Sequence, residues 1–461
     1  MSEYLFQYRG IDPTTWVYLS SLLLIGLFFK FGRVWSVRNL DLILLILLGP
    51  GLLIIYQAQT GLGELNVRMA NAAAENSAST SATEAESPTV GELDVSATGD
   101  AETVASENEI AELQELELLG FVYLFGVGGL ILTRLLLDPI MVRRPLLEPN
   151  LSQGGLVFIG ISLFIFLMAN VVAEPETTVA VDAADYRIAR VAPASTHGPG
   201  YELLSVLPTG LAKAFSIVGQ LLILVGVVLT GFWHFRNISM GIGAATLYLM
   251  LPYTSLLTGR IEHILPATTL VWAVLTYRRP LVSGALIGLA SGLVYYPFFL
   301  LPLWLSFYWH RGFRRFLSSY IVTLSILVVL LLIFSRNGLI EDLTRMVGAQ
   351  LPVMEGLGGI WNMEAGGINT SYRLPVLVAF IALSVSMALW PAQKNLGTLL
   401  SCTAAIMVAA QFWHGYGGGT YMAWYLPLML LTIFRPNLED RVAVAVLGES
   451  WFPNSRVSKA A

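Results

Sequence analysis

Residues 281–309 read LVSGALIGLASGLVYYPFFLLPLWLSFYW. The stretch holds no Asp, Glu, Lys, Arg or His, and it lies between two basic clusters, Arg278/Arg279 and Arg311/Arg314/Arg315. Basic connections between apolar segments stay on the cytoplasmic side of a membrane. Two such clusters on one side require an even number of crossings between them. Two helices of about 14 residues would each reach about 21 Å, short of the roughly 30 Å hydrocarbon core. A broken or re-entrant hairpin turning at Tyr295-Tyr296-Pro297 fits best. A single long tilted helix is the other reading, and it would invert everything downstream.

The whole chain has the same character. It is 461 residues long, 55% hydrophobic and 12% charged, against about 25% charged in an ordinary soluble domain. Mean hydropathy is +0.68. The charges fall between apolar runs that are often long enough to span a bilayer. The runs show no period-2 alternation, so the expectation is helices rather than a closed barrel. The single cysteine, Cys402, excludes an intrachain disulfide and a thiolate metal cluster. The first apolar run follows Glu3, Arg9 and Asp12 instead of a basic lead, so no cleavable signal peptide is expected. Net charge, −5, comes mainly from one acidic loop.

The predicted fold is all-α: a polytopic transmembrane bundle of about 13 spans, some short or broken, with exoplasmic loops. Spans fall near 16–31, 40–57, 118–136, 153–172, 211–234, 239–257, 264–277, 281–294, 296–309, 316–334, 374–391, 396–413 and 419–434. The basic connections are Lys30/Arg33/Arg38, Arg143/Arg144, Arg236, Arg278/Arg279, Arg311/Arg314/Arg315, Lys394 and Arg435/Arg441. Placed together in the cytoplasm, they put the N-terminus outside and the C-terminus inside. The expected location is the plasma (inner) membrane of a cell envelope, crossed many times. The chain then divides into N-terminal spans (1–57), a disordered acidic exoplasmic loop (58–117) and a central bundle (118–334). An exoplasmic amphipathic and glycine-rich loop (335–373), C-terminal spans (374–434) and a cytoplasmic tail (435–461) follow.

Three long connections fall on the exoplasmic side of this topology. Residues 58–117 include ENSASTSATEAESPTVGELDVSATGDAETVASENE, with one basic residue, Arg68. That composition predicts disorder, giving way to a helical pattern in EIAELQELELLGFVYL. Residues 173–210 carry more apolar and aromatic side chains and are expected to lie on the membrane surface. In 335–373, Ile340, Leu343, Met346 and Val347 recur at helical spacing with Glu341, Asp342 and Arg345 opposite, an interfacial amphipathic pattern. The glycine-rich Glu355–Trp361 stretch lacks the Gly-Lys-Ser/Thr ending of a phosphate loop and reads as a mobile loop over a site.

The polar residues of this side are candidates for chemistry. Residues 257–266 read LTGRIEHILP. Glu262 and His263 suit a general acid/base pair and Arg260 an anion contact. A solvated turn that stops two helices is the alternative. Arg336 and Arg373 run against the charge bias; either phosphate or a salt bridge with a headgroup accounts for them. His414 and Tyr416 open the run His-Gly-Tyr-Gly-Gly-Gly-Thr-Tyr, where backbone can approach a ligand or simply form a hairpin. Tyr296 sits at the proposed turn of 281–309. Metal-ligand spacing is absent, and no metal or cofactor is expected. Trp16, Trp304, Trp390 and Trp424 read as aromatic-belt anchors.

Residues 250–316 resemble a block of the GT-C superfamily of integral membrane glycosyltransferases, in particular the polyprenyl-phosphate-mannose-dependent mannosyltransferase-like proteins. Gly259-Arg-Ile-Glu262 stands where the family has Gly-Gln-x-Asn. Ser283-Gly-Ala-Leu-Ile-Gly288-Leu-Ala290 matches its Ala-Gly-x-x-x-Gly-x-Ala, and Val294-Tyr-Tyr-Pro297 replaces Lys-x-x-Pro. The resemblance implies sugar transfer from a polyprenyl-phosphate donor at the exoplasmic face. It also implies a carboxylate base in the first exoplasmic loop, for which Asp12 and Glu64 are the nearest residues here. Expected partners are that donor and membrane lipids, with no nucleic acid. A membrane scaffold or assembly protein is the alternative function. A transporter or flippase is a third, disfavoured by the lack of an internal repeat and of charges in the middle of the spans.

Overall fold

The structure is a computed structural model. It describes residues 12–83, 96–141, 147–173, 198–200, 204, 208–334, 357–363, 365–392 and 394–436. Among these residues there are fourteen α-helices and no strand. In chain order they are α1 (Pro13–Phe28), α2 (Val37–Thr83), α3 (Ser96–Leu137), α4 (Gln153–Ala173), α5 (Thr209–Trp233), α6 (Ile238–Met250) and α7 (Pro252–Leu256). Then come α8 (Ile261–Leu275), α9 (Pro280–Leu293), α10 (Leu301–Phe307), α11 (Phe313–Phe334), α12 (Arg373–Leu389), α13 (Leu396–Trp413) and α14 (Leu426–Phe434). Seven helical segments are long and apolar enough to cross a membrane: Val37–Asn71, Asn108–Ile140, Gln153–Ala173, Gly210–Trp233, Phe313–Ile333, Thr370–Leu389 and Leu396–Trp413.

Helix α13 is the axis: 94% of its apolar window is buried, against 22% for α4, α11 and α12. It packs against α3, α12 and α14. The peripheral helices turn large apolar residues outward, among them Phe158, Ile165, Val322, Ile333, Val378 and Leu389. An outward apolar surface of this extent suits a lipid environment, because soluble monomers rarely expose such patches.

The 281–309 stretch folds as a hairpin. Helix α9 runs from the 278–280 turn, a 3-10 turn at Tyr296–Leu300 reverses the chain, and α10 brings it back. The return is fixed where it ends: the Tyr308 hydroxyl donates to the Tyr277 carbonyl. Both basic clusters therefore lie at one end of the bundle. Glycines at 284, 288 and 292 set α9 against α11, where an added Cβ would collide with the Phe316 carbonyl, the Tyr320 carbonyl and Leu327. Small residues every four positions permit this backbone approach between apolar helices.

Several helices are shorter than their apolar runs. Pro252 ends the segment expected at 239–257 after Met250, because Leu251 turns extended before it. The expected spans 296–309 and 419–434 each split into a 3-10 turn followed by a short helix, α10 and α14. The largest departure is 58–117. Expected to be disordered up to the helical pattern that starts at Glu109, it is helical over 58–83 and 96–117, as extensions of α2 and α3; residues 84–95 lie outside the described residues. Ala and Glu are strong helix formers, and the two extensions hold each other. An added Cβ at Gly61 would meet Leu113, Leu65 is buried, and the Gln59 amide donates to Glu117 at 3.0 Å. The expected amphipathic helix at 340–347 and residues 437–461 of the expected 435–461 tail lie outside the described residues.

At the basic end, charges in the apolar segments pair with one another. Arg134 makes two bonds to Asp41, 2.6 and 3.0 Å, and a third to Asp138 at 3.0 Å. Arg435 donates to the other Asp138 oxygen at 2.6 Å, and Arg38 donates to the Ile433 carbonyl. Both aspartates are fully buried. The network ties α2, α3 and the end of α14 together. Gly397 on α13 leaves room for it, since a Cβ there would overlap the Arg435 guanidinium.

Candidate functional site

The opposite end gathers residues from four distant segments. Pro252 restarts the chain as α7, whose Tyr253 faces the first turn of α8. The Tyr253 hydroxyl and His263 Nδ1 are 2.7 Å apart. His263 Nε2 lies 3.7 Å from Glu262 Oε1. If the tyrosine donates to Nδ1, the ring proton sits on Nε2 and points toward the carboxylate, so one tautomer serves both contacts. Glu262 occupies the first turn of α8, where the helix dipole favours a carboxylate. It and His263 are almost wholly buried.

From His263 the rings form a column. Its ring stacks on Tyr421 with centroids 4.5 Å apart, and Tyr421 lies 4.4 Å from His414. His414 stacks on Tyr296 at 5.0 Å, and Tyr296 on Tyr295 at 4.4 Å. Trp424 flanks the column, 4.6 Å from Tyr421 and 5.5 Å from Tyr296. Its indole N–H donates to the Glu262 carbonyl at 3.1 Å, so the 422–424 turn is tied to the start of α8. Centroid spacings of this size fall within the favourable range for aromatic pairs. The His414 tautomer is also set: Nδ1 accepts from the Tyr416 N–H at 3.1 Å, leaving the neutral ring's proton on Nε2.

Arg373 begins α12 and is buried beside the column. Its Nε donates to the Trp413 carbonyl at 2.9 Å, and its guanidinium lies 5.7 Å from the Trp413 ring centroid. Gly415 admits it, because a Cβ there would come within 2.7 Å of the guanidinium. The charge of Arg373 is close enough to act on Tyr295 and Tyr296, and that of Arg260 acts on Tyr253. The glycine-rich loop lies over this end. The Gly358 N–H donates to the Gly415 carbonyl at 2.9 Å, and Ile360 and Trp361 are buried.

The structure thus brings together Glu262, His263, Tyr296, Arg373, His414 and Tyr416, with Arg260 half-buried at the margin. It does not bring in the two substitute carboxylates. Asp12 is exposed and caps α1, accepting from the Thr15 N–H at 3.0 Å. Glu64 is exposed on the α2 extension, 3.7 Å from Arg68 one turn on. Arg336 lies outside the described residues. Tyr253, Tyr421 and Trp424 complete the column and were not singled out for it; only the short spacing of Tyr253 to His263 hinted at their meeting. Trp16, Trp304 and Trp424, expected as belt anchors, are buried, and the Trp304 indole donates to Thr403 at 3.3 Å. Among the described residues, no three His, Cys, Asp or Glu side chains stand close enough to hold a metal ion.

No protein-family model, curated protein or solved structure matches the chain. Its function has to be read from the chemistry of this end.

Proposed function

We propose that the chain is a multi-pass membrane glycosyltransferase that moves a sugar from a polyprenyl-phosphate donor to an acceptor hydroxyl at the exoplasmic face. The observation that carries this reading is the ring column. It places a buried carboxylate–histidine pair, Glu262/His263, within one cluster that also holds Tyr296, His414 and Arg373. The resemblance to GT-C transferases supports it in one respect. The residues standing for that family's Gly-Gln-x-Asn and Lys-x-x-Pro elements, 259–262 and 294–297, both contact Trp424.

In this reading Glu262 with His263 takes the acceptor's proton as the acceptor oxygen bonds to the sugar's anomeric carbon. The bond from that carbon to the phosphate oxygen breaks, and Arg373 and Arg260 stabilise the departing phosphate. The stacked rings hold His263, His414 and Tyr296 in one frame. The thirteen-crossing topology, with the basic end cytoplasmic, belongs to the same proposal.

The test is transfer by the purified full chain in proteoliposomes carrying radiolabelled polyprenyl-phosphate mannose. Glu262→Gln should lower transfer at least about 100-fold, in the range general acid–base catalysis contributes, with membrane abundance unchanged. Transfer at the native rate by Glu262→Gln and by Arg260→Ala would overturn the assignment of the site.

A second reading has an observation of its own. Helix α2 has 47 residues, about 70 Å of helix, more than twice the roughly 30 Å hydrocarbon core. The α2–α3 pair therefore extends beyond a bilayer, which suits a scaffold that holds a partner at the membrane surface. Deleting 66–107 separates the two readings: the transferase keeps its activity, and a scaffold loses its role.

A further inference from the structure

At the basic end, the turns that close the 281–309 hairpin border an open cavity of about 580 Å³. Arg278, Arg311, Arg314, Arg315, His310 and Trp309 line it, and no carboxylate does. Its shape is built in. The Tyr308–Tyr277 hydrogen bond clamps the two turns together, and Gly312 makes the corner with φ +101. A Cβ at 312 would be strained by that φ and would meet Pro280 at 2.9 Å. Trp309 and Phe313 pack edge to face at 5.3 Å and form an apolar lip.

A cytoplasmic address needs positive charge but not this arrangement of it. Arg314 and Arg315 occupy the first turn of α11, where the helix dipole already places partial positive charge and cations are disfavoured. Arg311, Arg314 and Arg315 are exposed around one concavity at that terminus, where their like charges favour an anion. The planar fork of arginine matches phosphate oxygens, and a helix N-terminus adds oriented N–H groups.

We propose that this cavity is a phosphate-binding site, filled by the phosphate headgroup of an anionic lipid or by the phosphate of a soluble compound. The site is separate from the ring column and does not depend on the transfer reading. Its position next to the exposed Trp309, an interfacial residue type, places it at headgroup depth.

The test uses the purified full chain in neutral detergent, with the thermal midpoint titrated by three probes: short-chain phosphatidic acid, short-chain phosphatidylcholine and inorganic phosphate. Phosphatidic acid should raise the midpoint saturably, and phosphatidylcholine should not. The double variant Arg314→Lys/Arg315→Lys keeps the charge and hence the topology, and should weaken binding at least tenfold. Arg33→Lys, on another turn of the basic end, is the control and should bind as the native chain does. Inorganic phosphate that raises the midpoint and competes with the lipid assigns the site to a soluble phosphate. Phosphate that does neither assigns it to the headgroup. Equal weakening in the Arg33 and Arg314/Arg315 variants, or no saturable effect of any probe, would overturn the proposal.

Discussion

The two ends of the bundle handle buried polarity in opposite ways. At the basic end, Asp41, Arg134, Asp138 and Arg435 satisfy one another through direct bonds of 2.6–3.0 Å. At the other end, Glu262 and His263 stand 3.7 Å apart, and both histidines stack on aromatic rings. Direct pairing locks charges in place, so the first network serves as a cross-link between α2, α3 and the end of α14. The second sets a carboxylate and two imidazoles inside an aromatic frame. In the proposed function the first region carries stability and the second the chemistry.

The largest expected effect comes from breaking the first region. Arg134→Gln leaves two buried carboxylates short of a partner and should cost about 3–5 kcal/mol. A fall in membrane abundance and thermal midpoint will register it. Adding Asp41→Asn should recover part of the loss, and a strictly additive double variant would mean that the pair is not coupled.

In the second region the effects should fall on activity. Glu262→Gln should abolish transfer while shifting the thermal midpoint far less than Arg134→Gln does. Gly415→Ala tests how the frame is set. The added methyl must displace the Arg373 guanidinium or Leu357, and a drop in transfer of about tenfold with the chain still folded is the expected result. Native activity in this variant would show that the position of Arg373 does not matter. Tyr253→Phe deletes one hydroxyl bonded to His263; about 1 kcal/mol of stability should go with it, together with a displaced pH profile for transfer.

The smallest effects belong to the two carboxylates outside both regions. Asp12→Ala removes a helix cap and should cost about 1 kcal/mol. Glu64→Gln alters an exposed ion pair and should stay within about 0.5 kcal/mol. Neither should change transfer; a large loss from either would move the catalytic base away from Glu262.

Much of this could be read from the chain itself. The hairpin at 281–309 followed from charge on its two flanks, since membrane location constrains sequence directly. Glu262, His263, His414 and Arg373 were legible because polar residues are scarce in so apolar a chain. The pairing of Asp41 with Arg134 was not, because it joins positions 93 apart and local pattern carries no such information. The column partners Tyr421 and Trp424 were hidden among aromatic residues that look alike whether they face lipid or protein. The helix over 58–83 and 96–108 was misread because low hydrophobicity suggests disorder, whereas the pattern from Glu109 was legible and packs on α2 through Gly61–Leu113 and Gln59–Glu117.

The burial of α13 carries a consequence for its sequence. Its window has a mean hydropathy of 1.5, the lowest of the seven long apolar segments. A helix that faces lipid is selected for oiliness; α13 instead packs among α3, α12 and α14, so its sequence answers to protein neighbours. Residues 396–413 thus depend on α14, which follows them in the chain, as well as on the helices before them.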